Sequence, residues 1–372
     1  MIFDDEPVPG YSLPILPGHV SPGRFERVLR AGIFAVSTEL APPDTADPEE
    51  VFLRASIFDG YVDAINATDG SGANCHMSSM AVCALLSRLG YALIMQISCR
   101  DKNRIAIQGD ILGGAAMGVC NILCLSGDGV QAGDHPQAKP VFDLDSTSLL
   151  EMGSGMRDKA CFQSGRKITQ PPRIFLGAVE NPAALPLEWR ASRMAKKAQA
   201  GAQFIQTQYC FDMPLLKQFM QRSQDLGLLE ELFILPGIGV LPSARTAQWI
   251  RDNVPGVRIP EALIKRLAGA KNQKQEGVDI AVELVQEASE INGVAGVHIM
   301  AYKVEEYVPE IVARSGVLAG RTPWYPGRDQ HKPVDEPALL NPAYPYLPVS
   351  QSDNEGAIGA TGESLLDNAS QP

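Results

Sequence analysis

Residues 92–129 read ALIMQISCRDKNRIAIQGDILGGAAMGVCNILCLSGDG. An apolar run over 92–98 ends in a charged turn. An amphipathic helical pattern follows over 103–118, and a second apolar run, 121–126, stops at Ser-Gly-Asp-Gly. Strand, helix and strand in that order imply two parallel strands joined by a crossover helix. The unit also sets a carboxylate, Asp128, just past the end of a buried strand.

The same alternation extends in both directions. Strands are expected at 33–40, 61–67, 92–98, 121–126, 173–179, 204–210, 232–238 and 296–302. Helices are expected at 48–58, 76–89, 103–118, 188–201, 213–226, 243–252, 260–290 with breaks, and 303–315. Eight β/α units in about 290 residues fit a closed α/β (β/α)8 TIM-type barrel, with an open doubly wound sheet as the alternative. A long connection at 129–172 follows the fourth strand and contains its own helix signal, DSTSLLEM (145–152). Long β-to-α connections of a barrel sit on its active face. The expected organisation is an N-terminal extension over 1–30, a barrel over 31–320, and an acidic, Pro-rich, irregular tail over 321–372.

Composition narrows the function. The net charge is −11, which argues against a nucleic-acid footprint. From Thr322 onward there are seven acidic and two basic residues, so the barrel itself is only mildly acidic. The start, MIFDDEPVPGYSLPILPGH (1–19), lacks the basic and apolar regions of a signal peptide. No apolar run reaches the roughly 18–20 residues needed to span a bilayer. The seven cysteines are odd in number and mostly sit in apolar runs, which suits a reducing cytoplasm and core thiols, Cys120 and Cys124 included.

In a barrel, chemistry gathers at the C-terminal strand ends. Those ends carry Thr38-Glu39, Asn66, Gln96 with Ser98, Ser126-Gly127-Asp128-Gly129, Gln206 with Gln208, Gly237 with Gly239, and His298 with Tyr302. The set holds carboxylates and neutral amides. It lacks a nucleophile–base pair and a His/Asp cluster for a metal. Amides can pair with the edge of a pterin, a flavin or a nucleobase, while the chemistry comes from a cofactor or second substrate.

Each residue also has a plainer reading. Glu39 could be a solvated strand-end carboxylate; walled by apolar groups, it becomes a usable acid near neutral pH. Asp128 could cap the next helix. Gln206 and Gln208 share a face, and inward amides need partners. Lys196 and Lys197, late in a helix, suit its dipole as solvated cations. His298 between Val297 and Ile299 reads as a core histidine. Asp101 and Arg104 read as a helix cap and an ion pair. Gly237 and Gly239 either shape a turn or leave room for a flat ligand.

Five stretches, taken in order, carry a resemblance: FAVSTELAPP (34–43), QISCRDKNRIAIQGD (96–110), NILCLSGDGV (121–130), AKKAQAGAQFIQTQYCFD (195–212) and PGIGVLPSAR (236–245). Together they resemble the methylenetetrahydrofolate reductase family, from about Gly32 to Val317. GDHPQAKPVFDLDS (133–146) resembles a bacterial branch, and the expectation is a catalytic barrel without the regulatory domain of animal members. The resemblance implies interconversion of 5,10-methylenetetrahydrofolate and 5-methyltetrahydrofolate, with FAD relaying hydride from NADH or NADPH. Carried over by position, Glu39 is the general acid, Asp128 lies near the pterin and flavin rings, and Gln208, with Gln206 beside it, contacts the pterin. Asn66, Gln96, Ser126, Gly127, Asp128, Phe142, Arg193, Lys196 and Lys197 fall at flavin-binding positions. Gln96 stands where a histidine is common, Asn-Ala-Thr-Asp-Gly replaces a Thr-Tyr-Gly turn, and Arg193 replaces an amide. These departures fall on the flavin side.

Two alternatives follow: a flavin-free reductase with direct hydride transfer, and a folate- or corrinoid-linked methyltransferase barrel, the latter without a zinc-thiolate or cobalamin motif. A third reading is a non-catalytic barrel that docks through its tail. The sequence has no dinucleotide fingerprint to separate NADH from NADPH. A cytoplasmic protein, soluble and compatible with a homo-oligomer, is the expectation.

Overall fold

The structure is a computed structural model and describes residues 13 and 15–327. The first twelve positions and the tail beyond 327, for which an extension and an irregular segment are expected, lie outside the described residues.

Eight parallel strands close in sequence order: β1 (Ala35–Leu40), β2 (Ala64–Ala67), β3 (Leu93–Ser98), β4 (Asn121–Leu125), β5 (Phe175–Glu180), β6 (Phe204–Tyr209), β7 (Phe233–Gly239) and β8 (Gly296–Met300). β1 pairs with both β2 and β8, so the sheet has no open edge. Around it lie α1 (Arg24–Arg30), α2 (Pro48–Ser56), α3 (Ser79–Ser87), α4 (Arg104–Ala116), α5 (Ser146–Asp158), α6 (Trp189–Gln199), α7 (Met213–Asp225), α8 (Ala244–Asn253), α9 (Glu261–Gly269), α10 (Gln273–Ser289) and α11 (Val308–Ser315). This is the (β/α)8 barrel. The long connection after β4 contains α5, so β4 is followed by a helix like every other strand.

The two-residue period of each strand divides the core in two. Val36, Ile65, Met95, Ile122, Leu176, Ile205, Ile234 and Val297 point outward and pack under the helices. Ala35, Ala64, Ile94, Leu123, Phe175, Phe204 and Leu235 point inward and form a separate cluster with Phe25, Val28 and Leu29 of α1. α1 therefore plugs the N-terminal mouth. The Phe25 ring meets that of Phe204 edge-on at 5.3 Å, and Phe204 stacks on Phe175 at 5.1 Å. Such rings add about 0.5–1.5 kcal/mol per pair beyond burial. This helix was not expected from the sequence. Its signal was present: Pro22-Gly23, then Phe25, Val28 and Leu29 at helical spacing, with an acid early and a base late.

The same mouth is tied shut by charge. Asp63, buried at the start of β2, accepts from Arg24 (2.9 Å) and Val36 N (3.0 Å) and pairs with Arg321. With this mouth filled, the C-terminal strand ends are left as the open face.

Candidate active site

Above the apolar plug lies a polar layer. Ser37 (β1), Asn66 (β2), Gln206 (β6) and His298 (β8) meet inside the barrel, all buried. Asn66 and Gln206 exchange reciprocal amide hydrogen bonds of 2.6 and 3.1 Å. Gln206 Nε2 also donates to Ser37 Oγ (3.0 Å), and Ser37 Oγ stands 3.0 Å from His298 Nδ1. These groups are inward because they share strand parity with the plug residues. They are tolerated because each finds a partner.

Glu39 sits one step higher on β1. Its Oε1 is approached by His298 Nε2 and by Gln96 Nε2, each at 3.4 Å. Its side chain is 30% exposed. Oε2 has no partner among the described residues. Tyr209 is close by: burial, then the charge of Glu39, push its hydroxyl well above the ordinary tyrosine range. Tyr209 stacks on Phe211 at 5.6 Å, so one wall of the mouth is aromatic. Gln208 lies where β6 slips its register against β7. Its Oε1 accepts from Tyr209 N (2.9 Å), and its Nε2 is without a partner among the described residues.

The other rim is built by the turns after β2, β3 and β4. Arg100 is buried and held by Asp101 through two bonds of 2.8 and 2.6 Å, while Nη2 donates to Gly70 O. Asp69 accepts from Ser98 N (2.9 Å) and faces Lys102, which also pairs with Asp110. Asp101 is thus an ion-pair partner and not the helix cap expected: Asn103 caps α4, accepting from Ile105 N and Ala106 N. Arg104 does form the expected ion pair. It grips Asp143 at 2.7 and 2.8 Å, and this holds the Asp143 carboxyl down to about 2. Next to that anchor, Phe142 is exposed with φ +39, a conformation that a bulky residue rarely adopts.

Asp128 is exposed, and its carboxylate accepts no hydrogen bond from the described residues. The helix-cap reading fails, because the cap after β4 is Asp145, which forms a capping box with Ser148 at the start of α5. Gly127 before it has φ +90, and a Cβ there would come within 2.2 Å of Ser98 Oγ. Ser126 Oγ accepts from Ser146 N (3.1 Å), joining β4 to α5.

Several expected ligand contacts turn out to be occupied by protein. Lys197 is not solvated: it is buried, bonded to Val179 O and to Glu180 Oε2 (3.0 Å), with Arg190 3.6 Å from the other Glu180 oxygen. Burial lowers its ammonium pKa from the ordinary value against the pull of Glu180. Lys196 and Arg193 are exposed on α6. A Cβ at Gly237 would meet Thr207 O and Met300, and one at Gly239 would meet Tyr209 and Phe211, so these glycines make room for protein atoms and not for a flat ligand. Sequence reasoning missed Ser37 and Tyr209; Ser37 was readable as the residue two before Glu39, on the same face.

A flavin dinucleotide needs a flat surface, a close backbone approach and cations for its phosphates. Of the expected positions, Gly127, Asp128, Phe142, Arg193 and Lys196 are accessible; the ring of Phe142 and the cations Arg193 and Lys196 are of the types needed, and the anionic Asp128 is not. Asn66, Gln96 and Lys197 are engaged elsewhere. Among the described residues, no group of three or more His, Cys, Asp or Glu is placed to hold a metal, and no helix is long and apolar enough to cross a membrane.

The family profile described as methylenetetrahydrofolate reductase matches residues 24–316. A curated relative, Methylenetetrahydrofolate reductase 2 of Schizosaccharomyces pombe, is 23% identical over 244 residues, covering 61% of this chain. The chain spans only 36% of that relative's length. Among solved structures, an uncharacterized Clostridium thermocellum protein that binds two copies of 5-methyl-5,6,7,8-tetrahydrofolic acid has a similar fold. Its TM-score is 0.52 and its identity 14%, over 77% of this chain and 96% of that one.

Proposed function

The chain belongs to the methylenetetrahydrofolate reductase family, and on that premise we propose that it interconverts 5,10-methylenetetrahydrofolate and 5-methyltetrahydrofolate by hydride transfer, with NADH or NADPH as the other substrate. The observation that carries this reading is the inner wall of the mouth. Glu39 Oε2 and Gln208 Nε2 have no partner among the described residues, beside an aromatic face of Tyr209 and Phe211. A pterin offers a flat ring with donors and acceptors on its edge, which matches that wall.

Glu39 gives its proton to the nitrogen that leaves the bridging carbon, so the five-membered ring opens and an iminium forms at N5. The hydride then adds to that carbon and yields the methyl group; the oxidative direction reverses both steps. His298 and Gln96 hold Oε1 of Glu39, which aims Oε2 at the substrate. The Asp128 carboxylate, open at the rim, stabilises the cationic carbon. Gln208 orients the pterin edge. FAD, when bound, supplies a hydride relay between nicotinamide and folate, with Gly127, Phe142, Arg193 and Lys196 as its holders.

A second reading has a specific observation behind it. Asn66 and Lys197, at flavin-binding positions, are satisfied by protein groups, and Gln96 Nε2 is turned toward Glu39. This favours direct hydride transfer from the nicotinamide. Anaerobic turnover with methylene- and methyl-folate and each nicotinamide tests the main proposal; no turnover with either pair contradicts it. Visible absorption separates the two routes. Flavin bands in purified or FAD-supplemented protein support the relay, and turnover without any flavin supports direct transfer.

A further inference from the structure

Ser37, Asn66, Gln206 and His298 are 0%, 0%, 2% and 2% exposed, too deep to touch a ligand at the mouth. Asn66 Nδ2 donates to Gln206 Oε1, and Gln206 Nε2 donates to Asn66 Oδ1. The Gln206 amide is placed with its nitrogen toward the rest of the layer. That nitrogen lies 3.0 Å from Ser37 Oγ and 3.3 Å from His298 Nδ1. An amide nitrogen only donates. If it donates to Ser37, the serine hydrogen has two acceptors, His298 Nδ1 at 3.0 Å and Val297 O at 3.4 Å, and the shorter contact is to Nδ1. If it donates to Nδ1 directly, Nδ1 is again the acceptor. With the serine hydrogen on its shorter contact, or with Gln206 donating to Nδ1 directly, the imidazole proton is left on Nε2, the atom that faces Glu39.

We propose that Asn66 and Gln206 are positioning residues: their amide pair, through Ser37, fixes His298 as the Nε2–H tautomer and thereby holds one oxygen of Glu39. This replaces the ligand-contact role that the sequence suggested for both. The proposal rests on the reading of Glu39 as the acid, but its first readout does not.

The experiment is nitrogen NMR on protein labelled with 15N-histidine, with His298 assigned by its loss in His298→Gln. The wild type should show a protonated Nε2 and an unprotonated Nδ1. In Gln206→Leu the preference should disappear. The folate substrate should still bind within about twofold while kcat falls about tenfold, the lower end for losing a group that orients a catalytic neighbour. The double variant Asn66→Leu/Gln206→Leu removes both amides together, leaves neither unsatisfied, and should show the same tautomer change in a folded protein. A wild-type proton on Nδ1 would overturn the proposal. So would an unchanged tautomer in both variants, or weaker folate binding with kcat intact. If the tautomer shifts as stated but Glu39→Gln retains full turnover, the positioning of His298 stands and the role of Glu39 fails.

Discussion

His298 and Glu39 meet at the seam where the barrel closes. The imidazole Nε2 stands 3.4 Å from a carboxylate oxygen, across strands β8 and β1, which pair only because the sheet curls into a ring. The position of Glu39, the proposed acid, is therefore set by the fold's closure and not by its own loop. It belongs to a rigid wall, while Asp128 and Phe142 stand on turns at the rim.

Gln208 offers a free amide nitrogen at that wall. Replacing it by leucine removes the proposed polar contact to the substrate and should leave the barrel intact. The expected result is a rise of about two- to tenfold in the folate dissociation constant, with kcat little changed, since one such bond contributes about 0.5–1.5 kcal/mol. Binding titration of Gln208→Leu against wild type checks this.

Gly127 sets the direction of Asp128. Alanine there meets Ser98 Oγ and must adopt φ +90. The expected cost is about 1–3 kcal/mol of stability, with a fall in kcat as Asp128 moves. Adding Ser98→Gly removes the clash but not the backbone strain, so thermal denaturation should recover only in part.

Lys197 and Glu180 form a buried pair behind β5. Lys197→Met leaves the Glu180 carboxylate buried without its closest cation, which should cost about 3–5 kcal/mol. The double change Lys197→Met/Glu180→Met should recover only part of that loss, because buried Arg190 then loses its carboxylate partner. If Lys197 served only cofactor phosphates, neither melting temperature would move and nucleotide affinity alone would fall.

Asp143 gives a pH signature. Arg104 lowers its folded value to about 2 from an ordinary 3.8. The group's contribution is therefore complete above about 3.8 and is lost as pH falls from there through about 2. Carbon NMR of the Asp143 carboxyl should titrate near 2 in the wild type and return toward 3.8 in Arg104→Ala. In that variant the segment carrying Phe142 loses its anchor.

Much of the fold was legible from periodicity. The 92–129 unit became β3, α4 and β4 almost residue for residue, because a buried strand and an amphipathic helix each impose a strict spacing. α1 was harder, since its seven residues show one apolar face and no strand pattern follows from the bottom plug it forms. At the site, Glu39, Gln208 and Asp128 could be named from strand ends alone. What could not be read is who satisfies whom. The reciprocal bond of Asn66 with Gln206, and that of Lys197 with Glu180, depend on which strands curl together. An unpaired amide and a paired one look alike in one dimension.

The most direct test of the whole account is Glu39→Gln, which keeps the shape and removes the transferable proton. Single-turnover reduction of methylenetetrahydrofolate should fall by about 10²–10⁴-fold, the usual contribution of a positioned acid, with the melting temperature and folate affinity close to wild type. Reduction at a near-normal rate in that variant would contradict the account.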